Sequence, residues 1–151
     1  MIESAVRYLR DAGIPFRLFS YPSPEELPTV AHPLPRGALL VEAHVLLVDG
    51  RASLACVPAS DAIEIAGLAN TLHASVLDAA DELLPGYRAP LPPLGGLFGV
   101  PLLVDRTIPS HAVLVFRAFG PHDYIEVAYD DFARLEHPRI ELIATRGELT
   151  A

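Results

Sequence analysis

Side chains that could do acid–base or covalent chemistry are sparse in this chain. The segment best shaped to hold a ligand, residues 84 to 105, has five prolines and four glycines and ends in Asp105. Proline fixes φ and removes a donor, whereas glycine admits positive φ and close approach of another backbone. A loop of that kind is rigid, and its exposed amides could orient a small acyl group and stabilise charge developing on a carbonyl oxygen. The side chains within reach of such chemistry are His44, Asp105 and Arg117. Asp105 has two readings: a cap for the turn at Thr107, or a wall of the pocket. Arg117 reads as half of a solvated pair with a carboxylate. Cys56 lies in an apolar strand pattern and reads as a small core residue rather than a nucleophile. The histidines, at 32, 44, 73, 111, 122 and 137, include no i, i+2 or i, i+4 pair, so no metal-ligand spacing is present and neither metal nor cofactor is expected. A phosphate-cradling glycine loop and a Gly-x-Ser-x-Gly elbow are both absent.

The elements that must position these groups follow from periodicity. Residues 2 to 12 predict a helix with Ile2, Ala5, Val6 and Leu9 on one face and Gly13 as its stop. Residues 16 to 19 alternate as a short strand. Residues 21 to 35 hold Pro22, Pro24, Pro28, Pro33 and Pro35 and predict an extended strap. Residues 38 to 48 and 52 to 57 form a hairpin about Asp49-Gly50, a favoured turn pair. Helices are expected over 61 to 70 and from Ser75, where Val76, Ala79, Ala80 and Leu83 repeat at helical spacing. Strands at 100 to 104, 112 to 118 and 124 to 128 precede a helix at 130 to 136 and a last strand at 140 to 144. This irregular alternation predicts one α+β domain over residues 1 to 151, with a mixed, curved sheet of six or seven strands wrapped by helices.

Composition narrows the function. At 151 residues the chain is long enough for one well-buried core. It has no apolar run of the ~18 residues a membrane span needs. The N-terminus lacks the basic start of a signal peptide, and the lone cysteine fits a reducing compartment, so a cytoplasmic location is expected. Net charge is −8, and all 11 basic residues are arginines scattered singly, with no lysine. A protein that grips nucleic acid unaided shows a basic stripe, so no DNA partner is expected.

The order of motifs resembles the YbaK/ProX family of aminoacyl-tRNA deacylases, bacterial trans-editing domains. The resemblance rests on Gly86-Tyr87, Pro92-Pro93-Leu94-Gly95 and Leu102-Leu103-Val104-Asp105. Upstream it extends to residues 45 to 50 and 55 to 59; downstream it takes in Phe119-Gly120, Ile125-Glu126-Val127 and residues 130 to 135. It is strongest over residues 40 to 136. Two departures stand out. Alignment on Asp49-Gly50 puts Ala43, with His44 beside it, where the family carries a lysine central to substrate handling. The turn from Gly86 to Gly95 is also one residue short and lacks its central glycine.

The resemblance implies an α+β fold, ester hydrolysis of a mischarged aminoacyl-tRNA, and aminoacyl-tRNA and an aminoacyl-tRNA synthetase as partners. It implies Pro93, Gly95, Gly96, Asp105 and Gly120 as substrate-binding residues. His44 is the candidate catalytic residue if it replaces the lysine, which needs a bulge or register shift, because strand alternation puts residues 43 and 44 on opposite faces. Otherwise His44 is a rim histidine. The pocket is expected between residues 92 to 99 and the strand carrying His44. The competing function is a non-catalytic module of the same fold that binds a small amino-acid-like ligand or a protein.

Overall fold

The computed structural model describes residues 2–20, 37–78, 90–120 and 122–146. The proline strap of residues 21 to 35 and the Gly86-Tyr87 pair lie outside the described residues.

Two long strands organise the domain. β2 (Ala38–Val48) and β3 (Arg51–Pro58) pair antiparallel from Val41↔Pro58 to Val48↔Arg51. Asp49 and Gly50 join them with φ of 49° and 79°, both positive as a type I′ turn demands. Around this hairpin a mixed sheet of eight strands forms in the order β1 (Arg17–Ser20), β8 (Asp123–Ala128), β7 (Val113–Arg117), β2, β3, β6 (Leu102–Asp105), β9 (Arg139–Glu141), with β5 (Val76–Asp78) also pairing β2. The pairs β2·β7, β3·β6 and β6·β9 are parallel. A second, two-stranded sheet joins β4 (Asp61–Ile63) to β10 (Ala144–Arg146). The molecule is thus an α+β domain with a mixed sheet, as the alternation predicts.

Helices cover both faces. On one, Ala5 and Leu9 of α1 (Ile2–Asp11) and Phe132 of α4 (Tyr129–Glu136) pack on Val41, Val45, Leu54, Cys56, Phe116 and Ile125. Gly13 (φ 71°) ends α1 at its predicted stop. On the other, Leu68 of α2 (Ile65–Leu72) joins Leu46, Ala55, Val57, Leu103 and Ile143. A separate cluster on that second face gathers Val115 and Tyr124 against Phe19 and Leu40. The short helix α3 (Gly95–Phe98) lies within the glycine-rich loop.

Three expectations need correction. The last strand is not continuous over 140 to 144: β9 ends at Glu141 beside β6, and Ala144–Arg146 pairs with β4 in the second sheet. Ser75 does not open a helix: residues 76 to 78 are a strand. Its N–H donates to Asp49 Oδ1 at 2.9 Å and its carbonyl accepts from the Asp49 amide at 2.8 Å, so the hairpin turn holds this segment extended against β2. Residues 61 to 63 are likewise strand, because the segment that follows β9 returns to pair with them.

Candidate functional site

Among the described residues, β2 is longer than any partner on its outer edge. β7 pairs with it only from Ala38 to Val41, and β5 only from Leu46 to Val48. Between those rungs, among the described residues, no strand pairs with residues 42 to 45 on that side. β7 ends because its backbone turns back into β8: the Ala118 N–H donates to the Asp123 carbonyl at 3.0 Å, and Phe119 adopts φ 66°. The space alongside is walled by Pro90 and Leu91. The Pro90 carbonyl accepts from the Phe119 N–H at 2.7 Å and so fixes that wall to the end of β7. Pro90, Pro92 and Pro93 have no N–H and cannot donate to a ladder.

The result is a groove of about 370 Å³, lined by Val41, Glu42, Ala43, His44, Pro90, Leu91 and Arg117. That volume is within the usual range for small-molecule sites. Glu42 and His44, two apart on one strand, share a face, and the Val41↔Phe116 register places Arg117 next to Glu42. Glu42 Oε1 lies 3.7 Å from Arg117 Nη2, and its Oε2 lies 3.5 Å from His44 Nε2. The His44 contact, and more weakly the Arg117 charge, hold the Glu42 carboxyl below its ordinary range against the opposing effect of burial. The row Arg117–Glu42–His44 thus separates the two apolar clusters of the second face. It gives a small, apolar-walled groove one fixed cation, one carboxylate that stays ionised, and one titratable imidazole.

Of the residues singled out in the sequence, His44 and Ala43 line this groove. Pro93 and Gly95 are buried in the loop and Gly96 is exposed on α3, but none of the three lines the groove, whose loop wall is Pro90 and Leu91 rather than the expected residues 92 to 99. Gly95 and Gly96 serve a helix junction. The Gly96 N–H donates to Glu136 Oε1 at 3.0 Å, and the Tyr8 hydroxyl donates to Glu136 Oε2 at 2.6 Å. Burial and the Glu136 carboxylate together push the Tyr8 hydroxyl well above its ordinary range. A Cβ on Gly95 would lie 2.6 Å from the Val100 carbonyl oxygen, and one on Gly96 would collide with the Tyr8 hydroxyl. The amides of Leu94, Leu97 and Val100 donate to carbonyls within the loop itself. Four of its N–H groups are therefore engaged in shaping α3.

Asp105 is 1% exposed and accepts from the N–H groups of Ile143 and Ala144 at 2.9 Å and of Thr107 at 3.2 Å, and from the Thr107 hydroxyl. Burial alone would raise its pKa, but these bonds outweigh it and leave the carboxyl below its ordinary value. Of its two readings, the turn cap at Thr107 is the contact observed, and the same carboxylate also fastens the return toward β10. Gly120 sits in the β7–β8 turn, where a Cβ would lie 2.7 Å from Asp123 Oδ2. Cys56 is fully buried, and its thiol is pushed up by burial and by the Asp105 charge, so it offers no thiolate. Glu42 was missed in the sequence. The usable signal was its i, i+2 relation to His44 on a strand, which puts a carboxylate and an imidazole on one face.

No known family model matches the chain, and no curated protein matches it. Solved structures do. A candidate trans-editing enzyme for prolyl-tRNA synthetase superposes with a TM-score of 0.78 at 12% identity, covering 95% of this chain and 96% of that one. A scaffold used for computational grafting of linear epitopes gives 0.78 at 14% identity, over 95% and 96% of the two proteins. A candidate signal-transduction protein from Marinobacter aquaeolei VT8 gives 0.76 at 16% identity, with 99% of this chain matching 32% of that larger one. At these identities the likeness is one of fold. Among the described residues, no helix is long and apolar enough to cross a membrane, and no group of three or more His, Cys, Asp or Glu could hold a metal ion.

Proposed function

We propose that the protein is a trans-editing deacylase of the YbaK/ProX kind, which hydrolyses the ester bond of a mischarged aminoacyl-tRNA in the groove beside β2. The observation that carries this reading is the Arg117–Glu42–His44 row in a small apolar-walled groove. The fold is shared with a structure described as a candidate trans-editing enzyme, and the motif order agrees with that description. Val41, Ala43 and Leu91 contact the amino-acid side chain. Water is the nucleophile, since Cys56 is buried as a thiol. His44, its Nε2 turned to Glu42, accepts the water's proton at Nδ1 and returns it to the leaving ribose oxygen. Arg117 offsets charge on the tetrahedral intermediate. Asp105, Pro93, Gly95, Gly96 and Gly120 act by holding the walls in place. Aminoacyl-tRNA is the substrate, an aminoacyl-tRNA synthetase the expected partner, and the cytoplasm the setting.

A deacylation assay with tRNAs charged with small amino acids tests this. Hydrolysis above the buffer rate is expected for at least one of them, with His44→Ala slowing it about 10²-fold. Unchanged His44→Ala activity from about pH 5.5 to about pH 8 would remove His44 from the mechanism. Two observations favour the alternative of a non-catalytic module for an amino-acid-like ligand or a protein: the sequence has no lysine, and the loop amides at Leu94, Gly96, Leu97 and Val100 are already engaged. Ligand binding without turnover on any charged tRNA would select it.

A further inference from the structure

Phe119 departs from the backbone that its side chain favours. Its φ of 66° lies in the left-handed region, where Cβ crowds the following carbonyl and a bulky residue is an outlier. The other described non-glycine residues in that region, Asp49, His73 and His137, occupy a hairpin turn and two helix C-caps. Gly120, next in the chain, would adopt this conformation without strain, yet lies outside it. The phase of the sheet explains why the strain falls one residue earlier. Alternate residues of β7 turn their N–H towards β8, and the Ala118 N–H does so, donating to the Asp123 carbonyl. The Phe119 N–H therefore points to the other side of β7, where the Pro90 carbonyl accepts it at 2.7 Å. Its buried ring meets that of Phe98, the last residue of α3, edge to face with centroids 6.1 Å apart. α3 is in turn fastened to Glu136 through the Gly96 N–H. Strained backbone persists where its surroundings over-determine it, and such residues gather at functional sites. One residue thus joins three parts: the Pro90–Leu91 wall by its N–H, α3 by its ring, and Arg117 through the chain two residues back.

We propose that Phe119 is a positioning residue: its left-handed backbone sets the spacing between the Pro90–Leu91 wall and Arg117. With β8 holding the chain beyond the turn, a return to negative φ rotates the peptide between residues 118 and 119 and breaks the bond to Pro90. The wall is then no longer tied to β7. This rests on the deacylase reading above, in which Leu91 contacts the amino-acid side chain and Arg117 offsets charge on the tetrahedral intermediate. Phe119 touches neither the ester nor the water and acts through those two residues.

Two substitutions separate the ring from the backbone. Phe119→Ala and Phe119→Gly both remove the ring, but glycine takes the left-handed conformation freely and alanine does not. Amide hydrogen exchange on ¹⁵N-labelled protein reads the bond to Pro90. Phe119→Ala is expected to lower protection of the residue-119 amide about tenfold while leaving that of Ala118 nearly unchanged. Phe119→Gly should recover about fivefold of that loss. In deacylation assays well below the melting transition, Phe119→Ala should lower kcat/KM per folded molecule about tenfold, with kcat falling through Arg117 and KM rising through Leu91. Phe119→Gly should lose less. A residue that only stabilises the core would leave both constants unchanged per folded molecule. Equal protection at residue 119 in the two variants would overturn the proposal, and so would a joint loss at residues 118 and 119. Should Phe119→Ala not fold, Phe119→Leu takes its place in the comparison with Phe119→Gly. Hydrolysis of charged tRNA with kcat and KM unmoved in the variants would keep the deacylase and remove Phe119 from it. A wild-type protein that hydrolyses no charged tRNA would remove the deacylase, and the exchange pattern would still decide whether Phe119 sets the wall.

Discussion

At the scale of single residues, Glu42 and Asp105 are both acids held in the charged form, for different ends. Glu42 is ionised in the groove by His44 first and Arg117 second, so His44→Ala should raise its pKa further than Arg117→Ala. A carbon-detected NMR titration of the Glu42 carboxyl checks this, and equal shifts would show that the two partners contribute alike. A depressed folded pKa means the contribution to stability is present above the ordinary glutamate value of 4.5 and is lost as pH falls through the folded value. The same sign holds for Asp105, whose ordinary value is 3.8. Its role is architectural: removing the carboxylate strands the Ile143 and Ala144 amides. Asp105→Ala is expected to cost about 3 kcal/mol in urea unfolding, because buried donors lose a charged acceptor. A loss no larger than that of an exposed substitution would mean those amides find other partners.

At the scale of elements, local pattern decided what could be read in advance. The hairpin was legible because Asp49-Gly50 suits the positive φ that a type I′ turn requires, and α1 and α4 because their apolar spacing matches a helix. Residues 76 to 78 were misread because Val76 fits either period, and the deciding contact, Ser75 to Asp49, spans the hairpin. The glycine loop was legible as rigid but not as to what its glycines face. They are small because α1, α3 and α4 meet there, and Tyr8 and Glu136, the partners that show this, are distant in sequence. The groove depends on where β7 stops and on the Pro90–Leu91 wall fixed to its end, which no single stretch of sequence encodes, so His44 could be singled out but Glu42 was missed. The junction makes a prediction of its own. Gly95→Ala places a Cβ against a backbone carbonyl, whereas Gly96→Ala meets only the tip of a side chain. Gly95→Ala should therefore cost more, about 1–3 kcal/mol by thermal or chemical unfolding. The opposite ranking would show that the Tyr8–Glu136 hydrogen bond is the stiffer constraint.

At the scale of the whole molecule, the charge of −8 must be reconciled with the proposed polyanionic substrate. Phosphate neutralisation normally supplies most of the affinity for nucleic acid, and each neutralised phosphate steepens the loss of binding with salt. This protein has 11 scattered arginines, and only Arg117 among the described ones lines the groove. Its net field repels the body of a tRNA. Recognition should then reside in the aminoacyl end and a few nucleotides next to it. The proposed deacylase activity then has two consequences. The slope of log affinity against log salt should correspond to no more than about two neutralised phosphates, near −1.4 on the single-strand scale. A short aminoacylated acceptor-stem minihelix should be hydrolysed within about tenfold of intact tRNA, since the lost contacts amount to little more than about one factor of ten in binding. Measuring kcat/KM for both substrates across a salt series checks the two together. A steep slope, or a minihelix worse by several hundredfold, would mean that folding gathers the scattered arginines into a surface that grips the tRNA body.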